Sequence, residues 1–229
     1  MKLFSMPLIL AILAGPLIAQ APKAALKDGV ISYTNESGGR SEIQVGGPCA
    51  DLWVAPDGDT MAFVRIDRSE PGDLSPAPFI EESTIFVASS SSRFSPVRVA
   101  LQPPWIEGRE WRVFRDPVVS PDLKAVYFLV PAAGTSWLLM SAPTAGGKAH
   151  AIAYVESYCV LWGGEHSGDL LMMARHMDAV TQGVTHWYYR NSTVGGTAKV
   201  GTREEAGDFG EFVSGWVRKH GGSCQYNLN

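Results

Sequence analysis

Short runs in which apolar and polar residues alternate recur between residues 30 and 200, each bounded by Gly, Pro, Asn, Asp or Ser. A period of two marks a strand with one buried face. Residues 30–34 and 41–45 alternate in this way around Asn35-Glu36-Ser37-Gly38-Gly39, which predicts a hairpin. Residues 49–54 form a short strand that leads into Ala55-Pro56-Asp57-Gly58-Asp59-Thr60. There Pro56 presets φ for a turn, Asp57 can bond the backbone that follows, and Gly58 supplies a position with φ > 0. Residues 61–66 are the next strand. Residues 67–82 read as a polar, proline-bearing insertion, and residues 83–88 and 96–100 as a second hairpin around the Ser89–Ser92 tract.

The series restarts after residues 101–111, which carry Pro103-Pro104-Trp105 and Trp111. Residues 113–119, 125–130, 136–141 and 149–154 are predicted strands, with turns at Pro121-Asp122 and Thr144–Gly147. A weaker third pass comprises residues 158–162, the turn Ser167-Gly168-Asp169, and residues 170–174, 184–190 and 197–200. The stretch Ala55-Pro56-Asp57-Gly58-Asp59-Thr60-Met61-Ala62-Phe63 is echoed by Ser120-Pro121-Asp122-Leu123-Lys124-Ala125-Val126-Tyr127-Phe128. The interval from Pro56 to Pro121 is 65 residues, and from Lys124 to its faded counterpart Asp169 it is 45. A four-stranded propeller blade occupies about 40 to 50 residues, so the longer interval fits if 67–82 and 101–111 are insertions.

These residues resemble the TolB-type, WD40-like propeller repeat, whose blades carry an S-P-D-G-like turn before an alternating strand and a later hairpin. The resemblance rests on Ala55 to Phe63 with Ile85 to Val87, and on Ser120 to Phe128 with Leu138 to Met140, and it covers roughly residues 29–200. In the third copy His166-Ser167 stands where Pro-Asp is expected. The α/β domain that precedes the propeller in TolB itself is not evident, so membership of the Tol system does not follow. The resemblance implies an all-β chain, a small or partial propeller of about three to four four-stranded blades. Known propellers usually have four to eight.

The two ends differ from the middle. Met1-Lys2, an apolar run from Leu3 to Ile18 and Ala19-Gln20-Ala21 fit a signal peptide over residues 1–21, the alternative being an uncleaved anchor. Residues 22–28 read as a mobile leader. In residues 204–220, Phe209, Phe212, Val213, Trp216 and Val217 fall on one helical stripe. Acids lie near its start and Arg218-Lys219-His220 near its end, as the helix dipole favours, and Gly221-Gly222 stop it. The predicted organisation is a signal peptide (1–21), a propeller-like repeat domain (22–203) and a C-terminal helix and tail (204–229). Two arrangements are open: a small or incomplete propeller plugged by the helix, or an open form completed by a second chain through its blade edge.

Composition narrows the function classes. The net charge of −4 offers no basic field for nucleic acid, and no run beyond the first is long and apolar enough to span a bilayer once cleaved. Cys49, Cys159 and Cys224 permit one bridge in an oxidising compartment; the pairing is open, and so is the reading in which all three are buried thiols. Gly164-Glu165-His166-Ser167-Gly168 misplaces its serine for a nucleophile elbow, and no metalloprotease, phosphate-loop or dinucleotide motif occurs. His166, His176 and His186 are spaced by ten; His176 and His186 are candidates to meet across a hairpin and, with Asp178, to hold a metal, against the plainer reading of a polar strand face. Asp57, Asp122 and Asp169 read as turn-formers. Trp105, Trp111, Trp162, Trp187, Tyr188 and Tyr189 suit core and inter-blade packing or a recognition surface. Asn35-Glu36-Ser37 and Asn191-Ser192-Thr193 fit glycosylation sequons.

No catalytic, cofactor or metal residue is therefore assigned. The expectation is a secreted or periplasmic module that binds a protein, glycan or peptide, with 67–82 and 101–111 facing the partner. The alternatives are a hydrolase or lyase using the propeller channel, and a truncated propeller without independent activity.

Overall fold

The computed structural model describes residues 23–34, 39–71, 78–102, 105–106, 109–132, 137–177, 183–192 and 195–225. The predicted signal peptide, the sequon at Asn35, Pro103-Pro104, Asp178 and Thr193 lie outside these residues.

The chain opens with β1 (Lys23–Lys27), β2 (Val30–Thr34) and β3 (Arg40–Gln44), a three-stranded antiparallel sheet. The expected leader is thus a strand: Lys23 to Lys27 pair with Thr34 to Val30 across the Asp28-Gly29 turn. Its backbone finds a partner in β2, and its alternate residues Ala24 and Leu26 rest on the core, too short an apolar pattern to mark a strand between two lysines. Blade one is β4 (Cys49–Val54), β5 (Thr60–Pro71), β6 (Pro78–Ser89) and β7 (Val97–Arg98), in that order. The segment β8 (Leu101–Gln102), β9 (Trp105–Ile106) and β10 (Arg109–Glu110) then returns the chain to the axis. Blade two is β11 (Arg115–Val119), β12 (Ala125–Pro131), β13 (Trp137–Pro143) and β15 (His150–Val155). Between its last two strands β14 (Gly147–Lys148) pairs in parallel with β8, tying blade two to blade one. Blade three is β16 (Ser157–Trp162), β17 (Leu170–Met177), β18 (Val184–Ser192) and β19 (Gly196–Thr202). The helices α1 (Arg203–Ala206) and α2 (Phe209–His220) follow, and β20 (Ser223–Gln225) returns to pair with the inner edge of β16.

Three antiparallel four-stranded blades, the last with an added strand, make this a partial β-propeller. The period-two pattern has a specific consequence, because the central strands are buried on both sides. Met61 and Phe63 face the β1–β3 sheet, whereas Val64 turns to blade two. Val126, Phe128 and Val130 face blade one; Tyr127 and Leu129 face blade three. Leu170 and Met172 face blade two, and Leu171 faces α2. Fully burying such a side chain stabilises by about 1.5–3 kcal/mol.

The outer faces of blade one and blade three are covered by the β1–β3 sheet and by α2. Ile31, Tyr33, Ile43 and Val45 cover blade one, and the Tyr33 hydroxyl donates to the Gly58 carbonyl in the repeat turn. Phe209, Phe212 and Val213 cover blade three, with Phe212 stacked on Tyr188 at 4.4 Å between centroids. A Cys159–Cys224 disulfide fastens that cap, leaving Cys49 as the free thiol. The helix therefore lies on the face of a blade, and one flank of it lines the axial cavity described below.

Two further expectations change. The described residues of the 67–82 insertion are not a loop. β5 and β6 are twelve residues each and stay paired from Thr60↔Ser89 to Pro71↔Pro78, so the described part of the insertion is a β-ribbon. Ladder hydrogen bonds join backbone to backbone, so the exposed Asp67, Arg68 and Ser69 concealed a strand in the sequence. The predicted helix over 204–220 is also two helices. Gly207 takes φ +76°, and Asp208 then caps α2 by accepting the Glu211 N–H at 2.9 Å while Glu211 accepts the Asp208 N–H at 3.2 Å. Among the described residues, no helix is long and apolar enough to cross a membrane.

Candidate functional site

The innermost strands β4, β11 and β16 converge at the axis. β4 and β11 each bulge by one residue near their start, between Cys49 and Leu52 and between Arg115 and Val118. Bulges re-aim side chains. Here they place Asp51 and Asp116 equivalently, each four residues ahead of its repeat turn at Ala55 or Ser120. β16 pairs with β17 without a bulge, and Glu156 immediately precedes it.

These carboxylates are joined across blades. Asp116 adopts φ +47°, a left-handed conformation that Asp tolerates better than most residues. Its N–H donates to Asp51 Oδ2 at 3.1 Å, and Arg115 Nη1 lies 3.7 Å from the same oxygen. The Asp116 carbonyl accepts from the Tyr158 hydroxyl. Glu156 lies 2.5 Å from Arg175 Nη2 through one oxygen and 2.8 Å from His186 Nε2 through the other.

All three carboxylates line an open cavity of about 1330 Å³. Its opposite wall is α1 and α2, which contribute Glu205, Asp208 and Glu211 together with Arg203 and Arg218. With Arg115, the lining carries twice as many acids as arginines. Burial raises the Asp51 carboxyl above the ordinary aspartate value, and the Asp116 charge adds to this against the pull of the Asp116 N–H and Arg115. Burial, reinforced by Asp116 and Asp51, pushes the Tyr158 phenol well above its ordinary value, so it is a fixed donor at neutral pH. The arrangement offers a polar, net-acidic basin in which burial holds the Asp51 carboxyl above its ordinary value.

The residues singled out from sequence have other places. Asp57 accepts the Asp59 N–H at 2.9 Å, and Asp122 accepts the Lys124 N–H at 3.1 Å and the Ser120 hydroxyl at 2.6 Å, as turn-formers do. Asp169 instead is buried, 3.6 Å from both Arg190 Nε and His166 Nδ1. The closing bond Leu161 N–H to Asp169 carbonyl matches Ser120 N–H to Ala125 carbonyl, so Asp169 is the counterpart of Ala125, not of Lys124. The ten-residue histidine spacing brings no pair together. His176 stands opposite Thr185 and stacks on Trp187 at 3.6 Å, His186 stands opposite Arg175 beside Glu156, and His166 meets His220 at 5.1 Å between ring centroids. Trp111, Trp162 and Tyr188 are buried, whereas Trp187 and Tyr189 are half-buried. Lys199 Nζ sits over the Trp187 ring.

Sequence reasoning missed Asp51, Asp116 and Glu156. The first two were within reach, since their separation equals that of Pro56 and Pro121. Glu156 does not keep that spacing: it stands five residues ahead of Leu161, the counterpart of Ser120.

No protein-family model and no curated protein matches the chain. Among solved structures it is similar to the β-propeller domain of the Trilobed protease from Pyrococcus furiosus, described as having an open velcro topology. That match has 15% identity and a TM-score of 0.45, covering 77% of this chain and 51% of that one. It is also similar to Kuenenia stuttgartiensis hydrazine synthase, with 16% identity and a TM-score of 0.43 over 76% and 48% of the two chains. A putative TolB from Agrobacterium tumefaciens matches at 12% identity and a TM-score of 0.31, over 80% and 78%. The chain spans about half the length of the first two.

Proposed function

We propose that this chain is an exported binding module that takes a cationic segment of a protein or peptide into its axial cavity. The observation that carries this reading is that Asp51 and Asp116, near the start of β4 and β11, and Glu156, just ahead of β16, line one net-acidic cavity. Charge of one sign in a concave site raises the local concentration of the opposite sign and steers its approach. Export is supported by the Cys159–Cys224 bridge, since such bonds persist in oxidising compartments, and by the signal-peptide pattern of residues 1–21. The β5–β6 ribbon, with Asp67, Arg68 and Ser69 exposed, is the second contact we assign.

The test is titration of the full mature chain with a lysine- and arginine-rich peptide, its acidic counterpart and a neutral one. Preferential binding of the basic peptide, weakening as salt is raised, and a loss of at least about tenfold in Asp51→Asn/Glu156→Gln support the reading. Equal binding of all three peptides overturns it. Deleting residues 70–80 separates the ribbon from the cavity, because only a ribbon contact is lost with that hairpin end.

One observation favours a second reading, a hydrolase or lyase. The raised Asp51 carboxyl and the ion-paired Glu156 share one cavity, and carboxyl groups in contrasting environments suit acid and base roles. Turnover of a glycan or peptide panel, lost in Asp51→Asn, supports it; binding without turnover overturns it.

A further inference from the structure

The turn between β16 and β17 meets the end of α2 on the side of blade three, and it does so backbone to backbone. A Cβ on Gly164 would lie 2.7 Å from the Gly221 carbonyl carbon, and one on Gly222 would lie 2.5 Å from the Gly163 oxygen. Only glycines permit this approach, and the Glu165 N–H points to the His220 carbonyl at 3.5 Å. The two segments are thereby held in register, and three side chains with metal-binding atoms are brought together on them.

We propose that Glu165, His166 and His220 form a site for a divalent transition metal of the zinc class, which clamps the end of α2 to the β16–β17 turn. One ligand atom from each residue lies within 4.8 Å of the others. Glu165 Oε2 is 3.6 Å from His220 Nδ1, and Glu165 Oε1 is 3.9 Å from His166 Nε2. Tetrahedral zinc holds nitrogen and oxygen at about 2.0–2.2 Å, which puts neighbouring ligand atoms roughly 3.3–3.6 Å apart. The Glu165 separations exceed this by a few tenths of an ångström, while the whole set spans up to 4.8 Å, so the exposed Glu165 side chain and the two imidazoles must close by up to about 1.5 Å around the ion. Two imidazoles and one carboxylate suit zinc, copper or nickel and disfavour magnesium or calcium, which take oxygen ligands.

The surroundings complete the site. The other ring nitrogen of His166, Nδ1, lies 3.6 Å from Asp169 Oδ2, just beyond hydrogen-bond length, so a small ring movement on metal binding would make the carboxylate–histidine pair that orients metal ligands. Arg190 lies beside the same ring, 3.3 Å from both nitrogens, and its charge is offset by Asp169 at 3.6 Å. Glu165 is left as the net charge facing the cation. The end of α2 carries the negative pole of the helix, which favours a cation there. Trp216 packs against His220 and His166 at 4.5 and 5.7 Å and limits the movement of both rings. The metal would act with the Cys159–Cys224 bridge, which holds the chain just beyond the helix.

The experiment uses the full mature chain without an affinity tag, oxidised and stripped of metal, titrated with Zn²⁺ by calorimetry and with Co²⁺ by visible absorption. The expected result is one equivalent bound in the micromolar range or tighter, with the absorption of a four-coordinate Co²⁺ site and slower amide exchange in the last turn of α2. His220→Gln, at the half-exposed helix end, and His166→Ala each weaken uptake at least about tenfold. His150→Ala/His176→Ala leaves it unchanged. Absence of saturable uptake, unchanged affinity in His220→Gln, or loss in the His150/His176 variant overturns the proposal. Should His166→Ala fail to fold, His220→Gln and Glu165→Gln decide it alone.

Discussion

The Tyr158 hydroxyl donates to the Asp116 carbonyl, joining the innermost strand of blade three to the bulge of blade two. The Asp116 N–H donates to Asp51, so one peptide unit on each side of Asp116 links three successive blades at the axis. Tyr158→Phe should leave that partly buried carbonyl without its protein donor and cost about 0.5–1.5 kcal/mol. Urea unfolding should show a lower midpoint with an unchanged m-value. An unchanged midpoint would mean that the link does not hold the blades.

Asp51 should make stability fall as pH rises. Its folded carboxyl is raised above the ordinary aspartate value, so the folded chain holds this proton more tightly than the unfolded chain. The contribution is fully present below the unfolded value, near 4, and is lost as pH rises through the raised folded value. Asp51→Asn removes the titration yet keeps an oxygen for the Asp116 N–H. Subtracting its urea midpoints from those of the wild type, from acid to neutral pH, should give a curve that declines; a flat or rising curve contradicts the assignment.

Leu123 occupies the turn position that Gly58 fills in the first blade, and both adopt a left-handed backbone, at φ +59° and +72°. The conformation costs a non-glycine residue about 1–2 kcal/mol, whereas glycine brings an entropic cost of roughly 0.5–1 kcal/mol. Leu123 is also 45% exposed, so little burial is lost on its removal. Leu123→Gly should therefore stabilise by about 0.5–1 kcal/mol, measurable as a raised melting temperature.

The cysteines should behave unequally. The Cys159–Cys224 bridge spans 65 residues, for which loop-closure entropy gives a stabilisation of roughly 4 kcal/mol. Cys159→Ser/Cys224→Ser should lower stability by most of that amount and loosen α2 first, seen as faster amide exchange over residues 209–220. Burial pushes the Cys49 thiol up to about 11 against the pull of Arg65, so iodoacetamide should modify the folded chain slowly at neutral pH and rapidly once it is unfolded.

What the sequence by itself determined was the local grammar. Alternation marked the blade strands, Pro56-Asp57-Gly58 and Pro121-Asp122 marked their turns, and the stripe from Phe209 to Val217 marked the helix. Each depends on neighbours a few residues away. Tertiary structure decided what those elements cover. β1 is a strand because it pairs with β2 and lays Ala24 and Leu26 on the core, and the far end of the β5–β6 ribbon is a strand through backbone pairing with its own other half, partners that are not visible in the local residue pattern. Cys159 and Cys224 meet because β20 returns to the inner edge of β16. Among the described residues, Ile31 and Tyr33 bury the outer face of blade one, and Phe209 and Phe212 that of blade three. The axial carboxylates belong to both levels. Asp51 and Asp116 keep the repeat's spacing in the sequence, but that they share a cavity with Glu156 follows from the convergence of three strands on one axis.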